Sequence, residues 1–483
     1  MPEQRTGKTA SSILFKLLES IGMQGMSFLV SVFLARLLTP DDYGVVGMLT
    51  VFIAFSQVLV QSGLNTALIQ KKEADECDLS SAFWFSAGVA AVLYVLLFLL
   101  APTICGMMGR PEIAPVLRVL ALLLFAGALT SVQGAVVARR MLFRRMMPCN
   151  LCATVLSGIV GIAMAASGFG YWALVGQQLT NQFTLAVLLL IFVRWRPRAM
   201  FSLRRVATMM RYGWKLLLSS ILETGYVNLR SLVTGLKYNE DQLAFFNRGR
   251  QFPEMLVSAV NGSVQSVMLP VLSEQQDDPV RVKQIMRRGV RITGFVVLPM
   301  MAGLATVAAP VVTLIFGEKW LPCVPFLQIC CMDFAFYPII SGNTQALNAV
   351  GRSDVVLRQE LVKKLYGVAI VLISLFCFDT PLAIAWGTVL ASLLNALVSA
   401  APGKRLLGYS LMEQLRDLAP MALCALLMVV PVWLLGQLPL RPILLLPLQG
   451  ISGAAVYLCL SLIMKNDCLP YLLRSIKRML RRG

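Results

Sequence analysis

In a chain of 483 residues that is 57% hydrophobic, twelve polar side chains stand inside apolar runs, where each requires a physical reason. Gln57, Gln61 and Asn65 recur every four residues, a spacing that lays three amides along one helix face. Glu254, Asn261 and Gln265, together with Ser258, do the same in a later segment. Glu223, Tyr226 and Arg230 share a face with Lys215, which lies two turns earlier, and Lys16, Glu19 and Arg36 bring charge to the first apolar stretch. Cations, amides and carboxylates together suit a ligand with an anionic phosphate and neutral hydroxyls: Arg36, Lys215 and Arg230 for the phosphate, the amides and carboxylates for sugar. The bland alternative is helix-to-helix hydrogen bonding, which accounts for single amides such as Asn181 and Asn395. A lone cation at the centre of a lipid-facing helix costs at least about 2.5 kcal/mol, so the charged members are read as facing a hydrated cavity. The carboxylates of Glu19, Glu223 and Glu254 are also able to take up a coupling proton or sodium ion.

Histidine is absent, which excludes Ser-His-Asp and Cys-His nucleophiles, HExxH metal sites and His-containing zinc sites. Cys149 and Cys152 form one CxxC, with neither a second pair nor a histidine to complete four ligands, and are read as structural. No GxxxxGK[ST] occurs, so the chain has no phosphate-binding loop with which to hydrolyse ATP. The expectation is a non-enzyme without a metal or cofactor, a coupling H+ or Na+ aside. The 43 Lys and Arg outnumber 24 Asp and Glu, but a basic flank follows from membrane topology and no nucleic-acid partner is expected.

The elements that must hold these residues are membrane helices, each needing about 20 mostly apolar residues. Fourteen candidates run over 13–38, 43–68, 80–104, 115–138, 148–168, 171–193, 208–235, 251–272, 289–316, 322–348, 357–378, 382–401, 417–436 and 442–464. With that count, thirty Lys and Arg fall on even-numbered loops and the two ends. Only Arg110, Lys237, Arg248, Arg250, Lys319 and Arg441 fall on odd ones. The bias places both termini in the cytoplasm. The basic connector RWRPRAMFSLRR and the tail PYLLRSIKRMLRRG combine cations with apolar residues and are read as able to lie on anionic lipid. An internal repeat has an offset of 199: Phe15-Lys16-Leu17-Leu18 matches Trp214-Lys215-Leu216-Leu217, and Asp41-Asp42 matches Glu240-Asp241. It divides the chain into a lobe at 1–205, a lobe at 206–405 and a final pair of spans with a basic tail at 406–483. The fold class is therefore all-α and polytopic, with about fourteen transmembrane helices: two six-helix lobes around a central cavity, plus two C-terminal helices.

ARLLTPDDYG (35–44), SGLNTALIQKK (62–72) and FWF (83–85) resemble the start of the polysaccharide transporter branch of the multidrug/oligosaccharidyl-lipid/polysaccharide exporter superfamily. LRVLALLL (117–124), GFGYWALVGQQL (168–179), LPVLSEQQDD (269–278) and FGEKWLPCVPFLQI (316–329) are similar to it in the same order. The resemblance covers roughly residues 10–400 and carries over no fixed binding residue. It implies a flippase of the Wzx type that moves undecaprenyl-diphosphate-linked oligosaccharide units across the bacterial inner membrane by alternating access. A polysaccharide polymerase and other assembly proteins are then expected partners. An ion-coupled multidrug antiporter shares the fold plan but calls for a carboxylate-rich, cation-poor cavity. A membrane glycosyltransferase would need a sizeable outer loop, and every odd-numbered loop is short.

Overall fold

The computed structural model describes residues 24–464, except 62, 72, 73, 141, 194, 275–277 and 440. Among the described residues all regular structure is helical, and ten helices are long and apolar enough to cross a membrane. Large apolar side chains that water would penalise, such as Leu99, Phe376 and Ile463, are more than two-thirds exposed, as expected where lipid is the solvent. The chain divides into two compact units, 1–244 and 245–483.

The first unit holds α1 (Gln24–Leu37), α2 (Pro40–Gln61), α3 (Leu64–Gln70), α4 (Glu76–Met107), α5 (Ala114–Leu120), α6 (Leu123–Arg139), α7 (Phe143–Ala166), α8 (Tyr171–Phe192) and α9 (Leu203–Lys237). α10 (Glu240–Glu274) begins there and runs on into the second unit. The second unit continues with α11 (Pro279–Thr306), α12 (Ala308–Ile315), α13 (Val324–Ala335), α14 (Tyr337–Ala349), α15 (Ser353–Cys377), α16 (Leu382–Leu407), α17 (Leu411–Leu435) and α18 (Pro442–Ile463). α7 and α8 form a hairpin, α2 packs on α4, α6, α8 and α9, and α11 packs on α13, α14 and α17.

The ten apolar spans coincide with ten of the fourteen expected ones. Of the other four, α9, α10 and α15 form as helices outside those ten, and the first lies partly outside the described residues. The expected outer loop from Leu236 to Arg250 does not exist: only Tyr238 and Asn239 separate α9 from α10. The Asn239 side chain accepts from the Gln242 amide at 2.9 Å, and Glu240 and Asp241 occupy the first turn, so α10 starts eleven residues earlier than its apolar run. Arg248 and Arg250 consequently lie inside a helix.

A second correction concerns the span at 43–68. It breaks at Gly63, which takes φ 65, so Gln57 and Gln61 belong to the end of α2 while Asn65 belongs to α3. The three amides do not share one continuous helix face. The basic connector after α8 is held through the Trp195 side chain and two backbone amides. Trp195 is buried and donates to Glu76 at 3.1 Å, the Arg198 amide donates to Ser80, and the Ser202 amide donates to Ser81. The connector is pinned to the start of α4.

Candidate functional site

In the first unit the chain turns from α1 into α2 through Thr39 and Asp42. The Thr39 amide and hydroxyl both donate to the Asp42 carboxylate, at 2.9 and 2.7 Å, and the Asp42 amide donates back to the hydroxyl. Pro40 at the first helical position fixes the start. Beside this cap Arg110 holds Asp41 with two hydrogen bonds of 3.0 and 2.8 Å and approaches Glu240 at 3.2 Å. One guanidinium thus binds both acidic positions related by the repeat. A Cβ at Gly44 would lie 2.1 Å from the Glu240 carbonyl oxygen, so only glycine allows α2 and the start of α10 this close.

Further along α2 the backbone break opens a cavity of about 310 Å³, lined by Gln61, Asn65 and Thr66 on one side and Ser220, Glu223 and Thr224 of α9 on the other. Gly63 closes it against α9, where a Cβ would lie 2.4 Å from the Gly213 carbonyl oxygen. The Asn65 Oδ1 is buried and has no hydrogen-bond partner. Three expected residues, Gln61, Asn65 and Glu223, are therefore brought together. Gln57 turns away: its Nε2 donates to the Leu123 carbonyl of α6 at 2.7 Å. Arg230 lies over the Tyr226 ring, 5.7 Å from its centroid, as their spacing on α9 requires. Arg36 is exposed on α1. Lys16 and Glu19 lie outside the described residues, as do the side chains of Lys215 and Gln265.

In the second unit the candidates are tied to neighbours. Glu254 pairs with Arg250 at 3.2 Å, and Asn261 accepts from the Ser341 hydroxyl at 3.0 Å. Arg250 also approaches buried Asp333 of α13 at 3.6 Å and stacks on Phe334, while Ser392 of α16 donates to Asp333. Arg248 is buried over the rings of Phe316 and Trp320. Sequence reasoning missed Asp333, because it stands alone in an apolar run, and misplaced both arginines on a loop. The acidic first turn of α10 was the available signal.

Two other cations within helices have local partners. Arg118 donates to the Phe98 carbonyl at 3.1 Å and stacks on that ring, and Lys363 meets Glu360 at 2.9 Å. The cavity in the first unit offers amide and hydroxyl groups with one carboxylate, a set that exchanges hydrogen bonds with a polyol.

Residues 33–325 match the family described as polysaccharide biosynthesis protein. The chain belongs to that family. Among curated relatives it is 24% identical over 386 residues to the succinoglycan biosynthesis transport protein ExoT of Rhizobium meliloti, covering 80% of this chain and 75% of the relative. It is 26% identical to the teichuronic acid biosynthesis protein TuaB of Bacillus subtilis, covering 74% and 73%. It is 24% identical to the lipopolysaccharide biosynthesis protein WzxC of Escherichia coli, covering 81% and 80%. Among solved structures, the lipid II flippase MurJ in its inward closed conformation has a TM-score of 0.77 at 15% identity, covering 95% of this chain and all of that one. An inward-facing multidrug resistance MATE family transporter of the MOP superfamily has a TM-score of 0.62 at 16% identity, covering 81% and 96%. The fold is that of the MOP exporters. The chain is a multi-pass membrane protein of a polysaccharide biosynthesis family, and one of these relatives, ExoT, is named a transport protein.

Proposed function

We propose that the protein is a flippase for polyprenyl-diphosphate-linked oligosaccharide units, moving them from the cytoplasmic to the outer leaflet of a bacterial inner membrane by alternating access. Both termini lie in the cytoplasm, and a polymerase with other assembly proteins receives the product. The observation that carries this reading is the hydroxyl- and amide-lined cavity of the first unit, set among membrane helices in a chain of the polysaccharide biosynthesis family.

The physical problem is asymmetric. A sugar crossing about 30 Å of hydrocarbon would lose a water partner at each hydroxyl, a cost that grows with every ring. The polyprenyl tail gains nothing by leaving lipid. The protein therefore supplies polar partners to the head group alone. Arg36, Lys215 and Arg230 are the cations assigned to the diphosphate, and with no histidine in the chain any proton or sodium coupling runs through carboxylates. ExoT is described as a transport protein and MurJ as a lipid II flippase, and both support this assignment.

The test is transport in proteoliposomes loaded with a polyprenyl diphosphate trisaccharide, followed with a membrane-impermeant sugar oxidase. Protein-dependent exposure of the trisaccharide is expected, and it should be lost in the Arg36→Ala, Lys215→Ala, Arg230→Ala triple variant. Exposure no faster than in protein-free vesicles would overturn the flippase reading. Exposure that survives in the triple variant would remove the three cations from the mechanism.

A further inference from the structure

Resting on that reading, we infer that the cavity between the α2–α3 break and α9 is a subsite for one uncharged sugar residue, separate from the groups that hold the diphosphate. Its lining is chemically one-sided. Gln61, Asn65, Thr66, Ser220, Glu223 and Thr224 supply amides, hydroxyls and one carboxylate, and among the described residues no arginine or lysine contributes. Neutral amides and hydroxyls offer phosphate no cation, and they exchange hydrogen bonds with the hydroxyls of a sugar. The Asn65 Oδ1 gives the direction of exchange. It is a buried acceptor at the cavity wall that no group of the protein satisfies, so it is matched by a ligand that donates. Leu216 and Leu217 add an apolar strip, which the C–H face of a sugar ring covers while its hydroxyls meet the amides.

Size sets the stoichiometry. About 310 Å³ is at the lower end of the 300–1,000 Å³ typical of small-molecule sites, enough for one ring and too small for a repeat unit. The boundary is rigid for a reason found in the backbone: Gly63 has φ 65 and lies against Gly213, so any side chain there would push α3 from α9 and open the wall. The subsite selects for the residue placed in it by shape and donor pattern, and the remainder of the oligosaccharide lies outside it.

The experiment measures binding to the full-length protein in phosphatidylethanolamine–phosphatidylglycerol nanodiscs. Two probes are used: a short polyprenyl diphosphate carrying one hexose, and the same lipid diphosphate without sugar. The wild type should bind the hexose-bearing lipid more tightly. Gln61→Leu and Asn65→Leu should each weaken it about tenfold toward the bare lipid, whose affinity should not change. Gln61 is exposed, so its variant keeps the fold even if Asn65→Leu does not. Equal weakening of both probes, or of neither, would overturn the subsite. Wild-type protein that binds both lipids equally would also reject it while leaving the flippase reading intact, whereas failure to bind either lipid would reject that reading. Sodium-dependent protection that disappears in Glu223→Gln while hexose binding is unchanged would make the cavity a cation site and overturn the proposal.

Discussion

In the second unit, Arg250 is shared between Glu254 and Asp333, Asp333 takes a hydroxyl from Ser392, and Asn343 and Gln414 bond to each other. In the first, Gln61, Asn65 and Glu223 surround empty volume, and one acceptor is buried without a partner. Both arrangements put polar groups among membrane helices, and sequence patterns alone score them alike. The difference is whether the polar groups face one another, as Arg250 and Asp333 do even though the Arg250 Nη1 at 3.6 Å makes no hydrogen bond, or face a cavity. A closed network fixes how helices pack, whereas an open one awaits a ligand, and mutational cost separates the two.

The largest effect is expected at Asp333. Replacing it with alanine leaves Arg250, a cation that is only a quarter exposed, with the exposed Glu254 as its remaining carboxylate and frees Ser392, so a loss of about 2–4 kcal/mol should appear as a marked fall in the thermal unfolding midpoint. Glu254→Gln should cost under about 1 kcal/mol, because that carboxylate is more than half exposed. Unchanged stability with abolished transport in Asp333→Ala would break the comparison and make the cluster of the second unit functional. Next comes Gln414→Leu. It leaves buried Asn343 without its 2.8 Å partner and should cost about 1–3 kcal/mol, with recovery in the Asn343→Leu, Gln414→Leu double variant if the site repacks.

Much of this architecture was legible. The apolar runs locate the helices, and the repeat offset pairs Asp41 with Glu240, which one arginine binds in the folded chain. The motif LTPDDYG was recognisable, but its content is geometric: Thr39 and Asp42 cap a helix, Asp41 binds Arg110, and Gly44 admits the Glu240 carbonyl. What was not legible has physical causes. Hydropathy marks where a helix enters lipid, not where its hydrogen bonds begin, so α10 was placed too late and Arg248 and Arg250 were assigned to a loop. A break at one positive-φ glycine leaves no trace in an i, i+4 pattern, so Gln57 and Asn65 were set on one face although the first bonds α6 and the second lines the cavity. Asp333 lacked a neighbour in sequence, because its partners come from α10 and α16.

On the open side of the comparison, Asn65→Leu should change stability by no more than about 1 kcal/mol in thermal unfolding without ligand. The carbonyl removed was an unsatisfied acceptor, so its loss removes a desolvation penalty along with whatever packing it gave. A loss of 2 kcal/mol or more would show that Asn65 belongs to a closed network and would weaken the contrast between the units.

The smallest effect refines what a closed network requires. Arg205 binds Asp75 at the start of α4, and Arg287 binds Asp417 through two 2.6 Å hydrogen bonds, with Tyr409 also donating to Asp417. The pairs look alike but differ in burial: the Asp75 side chain is 56% exposed and that of Asp417 is 8%. The Arg205 guanidinium, followed by the Asp78 backbone amide, holds the Asp75 carboxyl down at about 2, from an ordinary 3.8. A carboxyl depressed in the folded state contributes stability above its unfolded pKa, and that contribution disappears as the pH falls through the folded one. Asp75→Asn keeps a good helix cap and removes only the charge. Its midpoint should lie slightly below wild type from pH 7 to about pH 5, close on it below pH 4, and meet it near pH 2. Because the pair is exposed, 0.5 M salt should remove most of the gap at pH 7, whereas the cost of Asp417→Asn should survive salt, since water does not reach that carboxylate to screen it. Equal salt sensitivity at the two positions would mean that burial does not distinguish the pairs.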